Sequence, residues 1–276
     1  MKKKLGATKP ASEPKSLEGD IASRIVDVED LEDHVKMVLY GRSGTGKTTF
    51  AGSFPMPGLL IDCNDRGTGS VRGVKGLKVL PARTLADVKQ AYWLLESGKH
   101  NFKTVILDTV SMLQDFAIRE VLADNRREVE DGDLGGWGTM RKQDWGDVSS
   151  IMKAQLMNFR ELPMNVVFIA QDRTSREDGS DEDGGISPEV GPRVMPSVAS
   201  TMNAAVDWIG NTFVKEKVIT TKVGVKKKER REIQYCMRIG PHSSYITKVR
   251  KPKAVEVPRY VVDPTYDKLI ELVKGE

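Results

Sequence analysis

The chain has 276 residues, 39% of them hydrophobic and 30% charged, with a formal net charge of +4. That length buries a sizeable core in one large α/β domain, and so even a charge balance names no partner by itself. Two cysteines, Cys63 and Cys236, with three histidines and no Cys-x-x-Cys pair, argue against a structural zinc site and fit a reducing compartment. No apolar run approaches a membrane span and no signal-peptide core is visible, so the expectation is a cytoplasmic protein with no membrane partner.

Residues 1–20 are rich in Lys, Pro, Ser and Glu and read as a disordered basic tail. Residues 21–276 read as a single domain. Val35–Tyr40 is a buried strand that runs directly into Gly41–Thr48. A short helix follows to about Ser53, ended by Pro55. Gly58–Asp62 is a second strand, closed by a polar turn from Asn64 to Gly69. Val79–Pro81 is a further short strand, and Thr84 opens a helix that stops at Gly98. Thr104–Asp108 is an apolar run closed by an acid, which fits a strand buried on both faces.

A helix covers about Val110 to Asn125, and the acidic, Gly-rich stretch Glu128–Gly138 reads as a loop. Trp145–Glu161 is an amphipathic helix, and Asn165–Gln171 the next buried strand. Asp172–Pro196 is polar and reads as a loop, before a helix from Ser197 to Ala205. Phe213–Val223 and Ile233–Ile239 alternate in β fashion around a basic turn. Tyr245–Val249 is another strand and Thr265–Lys274 a terminal helix. Strands alternating with helices imply a mostly parallel sheet with helices on both faces, and the tail implies an antiparallel β extension at about 210–262.

The sharpest motif is G-x-x-x-x-G-K-T: Gly41, Arg42, Ser43, Gly44, Thr45, Gly46, Lys47 and Thr48, with Thr49 next in the helix. A strand before it and a helix after it are the context a phosphate-binding P-loop requires. The glycines let backbone N–H groups turn inward around a phosphate. The helix N-terminus adds a positive dipole end. Lys47 neutralises β- and γ-phosphate oxygens, and Thr48 offers its hydroxyl to Mg²⁺. Asp108, closing a central strand, is the expected second metal residue. ATP and Mg²⁺ are the expected cofactors.

Three further matches keep the same order. Ile61-Asp62…Asp65-Arg66-Gly67, Ala170-Gln171 and Lys248-Val249-Arg250 stand where RecA-like ATPases carry functional groups. The chain resembles phage-encoded P-loop proteins of the AAA-type nucleotide-binding family, including the Sak-four group of single-strand annealing recombinases, over roughly residues 35–250. The resemblance implies a RecA-like core in which a carboxylate on the strand nearest the P-loop strand polarises water. Asn64 replaces the expected Glu, and Asp65 is the candidate in its place. Gln171 is the implied γ-phosphate sensor. The loop after it would meet DNA through Arg173, Arg176 and Arg193, although Glu177, Asp178, Asp181, Glu182 and Asp183 oppose tight contact.

Lys248 and Arg250, alternate residues on one strand face, would reach a neighbouring subunit's γ-phosphate as an arginine finger does. The resemblance further implies action on single-stranded DNA in phage recombination or annealing, and assembly into a ring or filament. A partner single-strand DNA-binding protein and a host-cell cytoplasmic location go with it. Eight basic residues against two acidic ones between Lys215 and Arg231 suit a phosphate backbone. Asn64 leaves a second reading open: a nucleotide-switched oligomeric module that loads a helicase or recombinase and hydrolyses weakly.

Overall fold

The computed structural model describes residues 25–27, 34–63, 67–124, 140–175, 189–223 and 226–274. The chain divides into Met1–Asp33 and His34–Glu276. The expected tail, 1–20, and the expected loop at Glu128–Gly138 lie outside the described residues.

Four short strands form the middle of the second unit: β1 (Lys36–Tyr40), β2 (Gly58–Asp62), β4 (Thr104–Asp108) and β5 (Asn165–Ala170). Apart from Lys36 all their residues are buried. Continuous apolar runs of this kind demand cover on both faces. Helices α2 (Leu85–Glu96), α3 (Val110–Asp124), α4 (Lys142–Glu161) and α5 (Pro196–Ala205) supply the larger cover, and their Leu85, Phe116, Phe159 and Met202 pack on Val38, Leu107 and Phe168. On the other face Phe50 of α1 (Lys47–Ala51) and Leu269 of α6 (Tyr266–Lys274) pack on Met37, Leu39, Leu60 and Ile106. Neighbouring residues of one strand feed opposite cores, as the period of two requires.

The remaining strands are β3 (Leu77–Pro81), β8 (Trp208–Val223), β9 (Lys226–Arg238), β10 (Lys248–Val249) and β11 (Tyr260–Val262). Together they make a nine-stranded sheet in the order β11-β9-β8-β1-β5-β4-β2-β3, with β10 on β8. The pairings among β3, β2, β4, β5, β1 and β8 are all parallel. Those of β9, β10 and β11 are antiparallel. The expected architecture, a P-loop NTPase core with an antiparallel extension, is therefore present. No helix among the described residues is long and apolar enough to cross a membrane.

Several details depart from the sequence reading. The strand Gly58–Asp62 does not neighbour the P-loop strand: β5 and β4 stand between β2 and β1. The expected loop Asp172–Pro196 contains a separate antiparallel pair, β6 (Asp172–Ser175) and β7 (Glu189–Pro192). Helix α4 begins three residues before Trp145, because Asp144 accepts the N–H of Arg141 at 2.6 Å and caps the first turn. Strand β8 begins at Trp208 rather than Phe213, and its first residues extend the parallel sheet beside β1.

Lys36 opens β1 with its ammonium donating to Leu162 O at 2.5 Å and Met164 O at 2.6 Å. Burial pulls its pKa from 10.5 down to about 8, partly opposed by the nearby Asp207 carboxylate. The unfolded chain keeps that proton to about pH 10.5, so the folded state is penalised below about pH 8 and gains stability as pH rises through that window. Relative to Lys36→Met, the wild type should gain about 1–2 kcal/mol between pH 8 and 10.5, a figure discounted for partial solvent access. Urea midpoints at both ends of the window measure this, and parallel behaviour of the two proteins would rule out the depressed amine.

Candidate nucleotide site

The loop Gly41–Thr48 leaves the C-terminal end of β1 in a conformation that glycine makes possible. Gly44 and Gly46 have φ of +78° and +87°, in the left-handed region. A β-carbon on Gly41 would lie 2.5 Å from Thr212 O and Oγ1, so β8 passes against the loop's first turn. Thr45 Oγ1 donates to Arg42 O at 2.7 Å and lies 2.6 Å from Thr212 Oγ1. The Lys47 ammonium donates to Gly41 O at 2.8 Å and Arg42 O at 2.7 Å, inside the loop, and the residue is 8% exposed. Thr48 Oγ1 donates to Asp108 Oδ2 at 2.7 Å, and Asp108 is 2% exposed. The Asp108–Thr109 peptide is cis.

A cavity of about 720 Å³ opens over the loop, lined by Ser43–Phe50 and by Gly67, Ser70, Thr212, Tyr235 and Asp263–Thr265. Thr49 is among its lining residues, whereas Arg42 points outward, 87% exposed in its side chain and 3.9 Å from Asp172. Sequence reasoning missed Thr212, Tyr235 and Asp263, which are distant in the chain. It carried Gly67 at the end of the Asp65-Arg66-Gly67 run and in a turn, without bringing it to Thr48 and Asp108. A β-carbon on Gly67 would come within 3.3 Å of Asp108 Oδ2 and 3.4 Å of Thr48 Oγ1. Glycine there keeps open the space beside both oxygens.

That space suits Mg²⁺. The donors are a hydroxyl and a carboxylate, both hard oxygen ligands. Among the described residues no group of three or more His, Cys, Asp or Glu side chains could hold a metal. Magnesium is well served by such a sparse set, since it keeps waters and shares substrate phosphates rather than filling an all-protein cage.

The other sequence candidates stand differently. Asp65, with Asn64 and Arg66, lies outside the described residues, as do Arg176 and the acids of 177–183. The neighbour Cys63 donates its N–H to Asp108 O at 2.7 Å.

Gln171 follows Ala170, which pairs with Tyr40, so it stands level with Gly41. Its carboxamide oxygen accepts from Arg193 at 2.9 Å and its N–H donates to Ser111 Oγ at 3.2 Å. It lines a second cavity of about 470 Å³ with Asp115, Trp145, Arg173 and Arg193 rather than the one over the loop. Within that cavity burial pushes the Asp115 carboxyl up, opposed by Arg119 and Arg193.

Lys248 and Arg250 lie toward the other end of the sheet. Arg250 N–H donates to Asp207 O and Asp207 N–H to Lys36 O, which sets Arg250 level with the start of β1. Lys248 Nζ donates to Asn203 O at 2.9 Å and Ala204 O at 3.1 Å, capping the C-terminus of α5, and burial lowers its pKa. Arg250 pairs with Asp207 at 2.9 Å. Within one chain neither cation enters the P-loop cavity.

No curated protein matches the chain. A family model described as an AAA domain matches residues 33–251, a span that holds the loop, Asp108 and every strand from β1 to β10. The chain therefore belongs to the AAA domain family of P-loop ATPases.

Proposed function

We propose that the protein binds ATP with Mg²⁺ at Gly41–Thr48 and hydrolyses it while acting on single-stranded DNA, in the recombination or annealing its sequence resemblance implies. The observation that carries the nucleotide half is the 2.7 Å bond from Thr48 to Asp108 at the floor of the cavity over the loop. Loop amides take the phosphates, and Lys47 exchanges its two carbonyl partners for phosphate oxygens. Thr48 and Asp108 would hold Mg²⁺, which when bound neutralises phosphate charge. Asp65 is the residue proposed to orient the attacking water.

The DNA half is supported by the β8–β9 arm. Its strands pair from Asn211–Arg238 out to Val223–Lys226, and the register sets Lys222 opposite Lys227. The sequence from Lys215 to Arg231 carries eight basic residues against two acidic ones, and such a run attracts a polyanion. We further propose that copies assemble into a ring or filament, and that Lys248 and Arg250 then leave α5 and Asp207 to complete a neighbour's site. A single-strand DNA-binding protein is a proposed partner.

One assay tests this reading: steady-state ATP hydrolysis with and without single-stranded DNA, at two salt concentrations. Stimulation of at least about tenfold, weakened by salt, is expected. Asp65→Asn should remove it, and mixing Arg250→Ala with Lys47→Ala subunits should restore part of it. Hydrolysis indifferent to DNA would overturn the recombination reading in favour of a nucleotide-switched loader.

A further inference from the structure

The cavity over the loop is larger than a triphosphate needs, and its far wall has its own construction. Tyr235, on β9, is 45% exposed, and its ring lies 3.2 Å from where a β-carbon on Gly46 would stand. Asp263 N–H donates to Tyr235 O at 2.7 Å, which seats the carboxylate-bearing residue beside that ring. Asp263 O accepts from Lys268 Nζ at 2.8 Å, and Tyr266 N–H donates to Ser53 Oγ at 2.8 Å. The Tyr266 ring packs on Phe54 at 4.7 Å. The turn Asp263-Pro264-Thr265 is thus pinned to β9, to the chain just past α1 and to α6.

Asp263 has φ of +45° and is the non-glycine residue the described chain holds in the left-handed region. Aspartate tolerates that conformation better than most residues, but it is uncommon, and such positions concentrate at ligand clamps. Among the described residues, the hydrogen bonds of Asp263 run through its backbone, and its carboxylate takes part in no ion pair. Asp263 is exposed at the cavity wall, and an ionised carboxylate only accepts hydrogen bonds, so it can exchange water for a ligand that brings donors.

The cavity runs from Gly46 past Tyr235 to Asp263 and on to Thr265, near Ser53 at the far end of α1. The first group beyond the phosphates of a nucleotide is its ribose, whose vicinal hydroxyls are donors, and beyond it lies a flat base. We propose that Tyr235 and the Asp263–Thr265 turn are the nucleoside wall of this site. The Asp263 carboxylate accepts from the ribose hydroxyls and makes the site selective for ribonucleoside over 2′-deoxyribonucleoside triphosphates. The Tyr235 ring offers a face to the base. This rests on the nucleotide reading above.

Inorganic tripolyphosphate separates the two readings, because it can use the loop but not the wall. Calorimetric titrations with Mg²⁺ present should show the wild type binding ATP at least about tenfold more tightly than tripolyphosphate, and at least about fivefold more tightly than dATP. Asp263→Gly removes the carboxylate and suits a left-handed backbone. It should bring ATP and dATP within about twofold of each other while tripolyphosphate still binds, and Asp263→Asn should narrow the gap. Tyr235→Ala should weaken ATP and dATP together by at least about fivefold. Equal wild-type affinity for ATP and dATP, or a gap that survives in Asp263→Gly, overturns the wall assignment alone. A wild type that takes neither tripolyphosphate nor ATP overturns the nucleotide reading and this one with it.

Discussion

Lys47→Ala should weaken ATP binding by at least about a hundredfold, roughly 3 kcal/mol, while leaving the fold in place. The reasoning starts from where the ammonium sits. Lys47 is 8% exposed, yet its charge is held by carbonyl oxygens of its own loop, Gly41 O and Arg42 O. Those dipoles are the weaker partners for a cation that a triphosphate would meet with full negative charges. The alanine variant loses that exchange entirely, and among the described residues no other basic side chain lines the cavity.

The loop should survive the change. Its turns are set by left-handed glycines, and it is fixed to β8 by the Thr45–Thr212 contact, neither of which involves Lys47. Titration with a fluorescent ATP analogue, alongside thermal melts, checks both halves. Binding retained within about tenfold of wild type would remove Lys47 from the phosphate site.

The buried strands were legible because each carries an apolar run of three to five residues, the pattern of a parallel sheet covered on both faces. The loop was legible because its residue types and spacing answer one chemical demand. What stayed hidden depends on distant partners. The run Trp208-Ile209-Gly210-Asn211-Thr212 carries a Gly-Asn pair that resembles a turn. Gly210 leaves room for two buried methionines, since a β-carbon there would lie 2.6 Å from Met237 Sδ and 2.9 Å from Met37 Cε. Asn211 is tolerated in a buried strand because its carboxamide accepts from Arg238 at 2.7 Å and donates to Tyr40 O at 3.4 Å.

Likewise no spacing rule could bring Tyr235 or Asp263 to Gly46, or show that β5 and β4 separate β2 from β1. The Lys-x-Arg pair shows the opposite limit. The strand is shorter than its sequence pattern, since β10 covers only Lys248–Val249 and Arg250 stands just past it, and the partners of both cations within one chain, the last carbonyls of α5 and Asp207, belong to a segment some forty residues earlier.

Asp108→Asn should leave nucleotide binding in EDTA near wild type, abolish the extra affinity that Mg²⁺ confers, and lower hydrolysis by at least about a thousandfold. Asparagine keeps an oxygen that can accept from Thr48, so the 2.7 Å contact and the junction of α1 with β4 need not be lost. What disappears is the negative charge. Two neutral oxygens beside Gly67 make a poor site for a small divalent cation, whose selection rests on ligand charge.

The neighbouring acid supplies the control. Asp62 pairs in register with Asp108 across β2 and β4 and is itself buried, so it is the rival for the same metal. If Asp62→Asn loses Mg²⁺-dependent binding while Asp108→Asn keeps it, the metal residue lies on β2. If only Asp108→Asn loses it, the bond to Thr48 marks the metal position. The contrast between EDTA and Mg²⁺ also separates a failed metal site from a failed fold, because an unfolded variant loses binding in both.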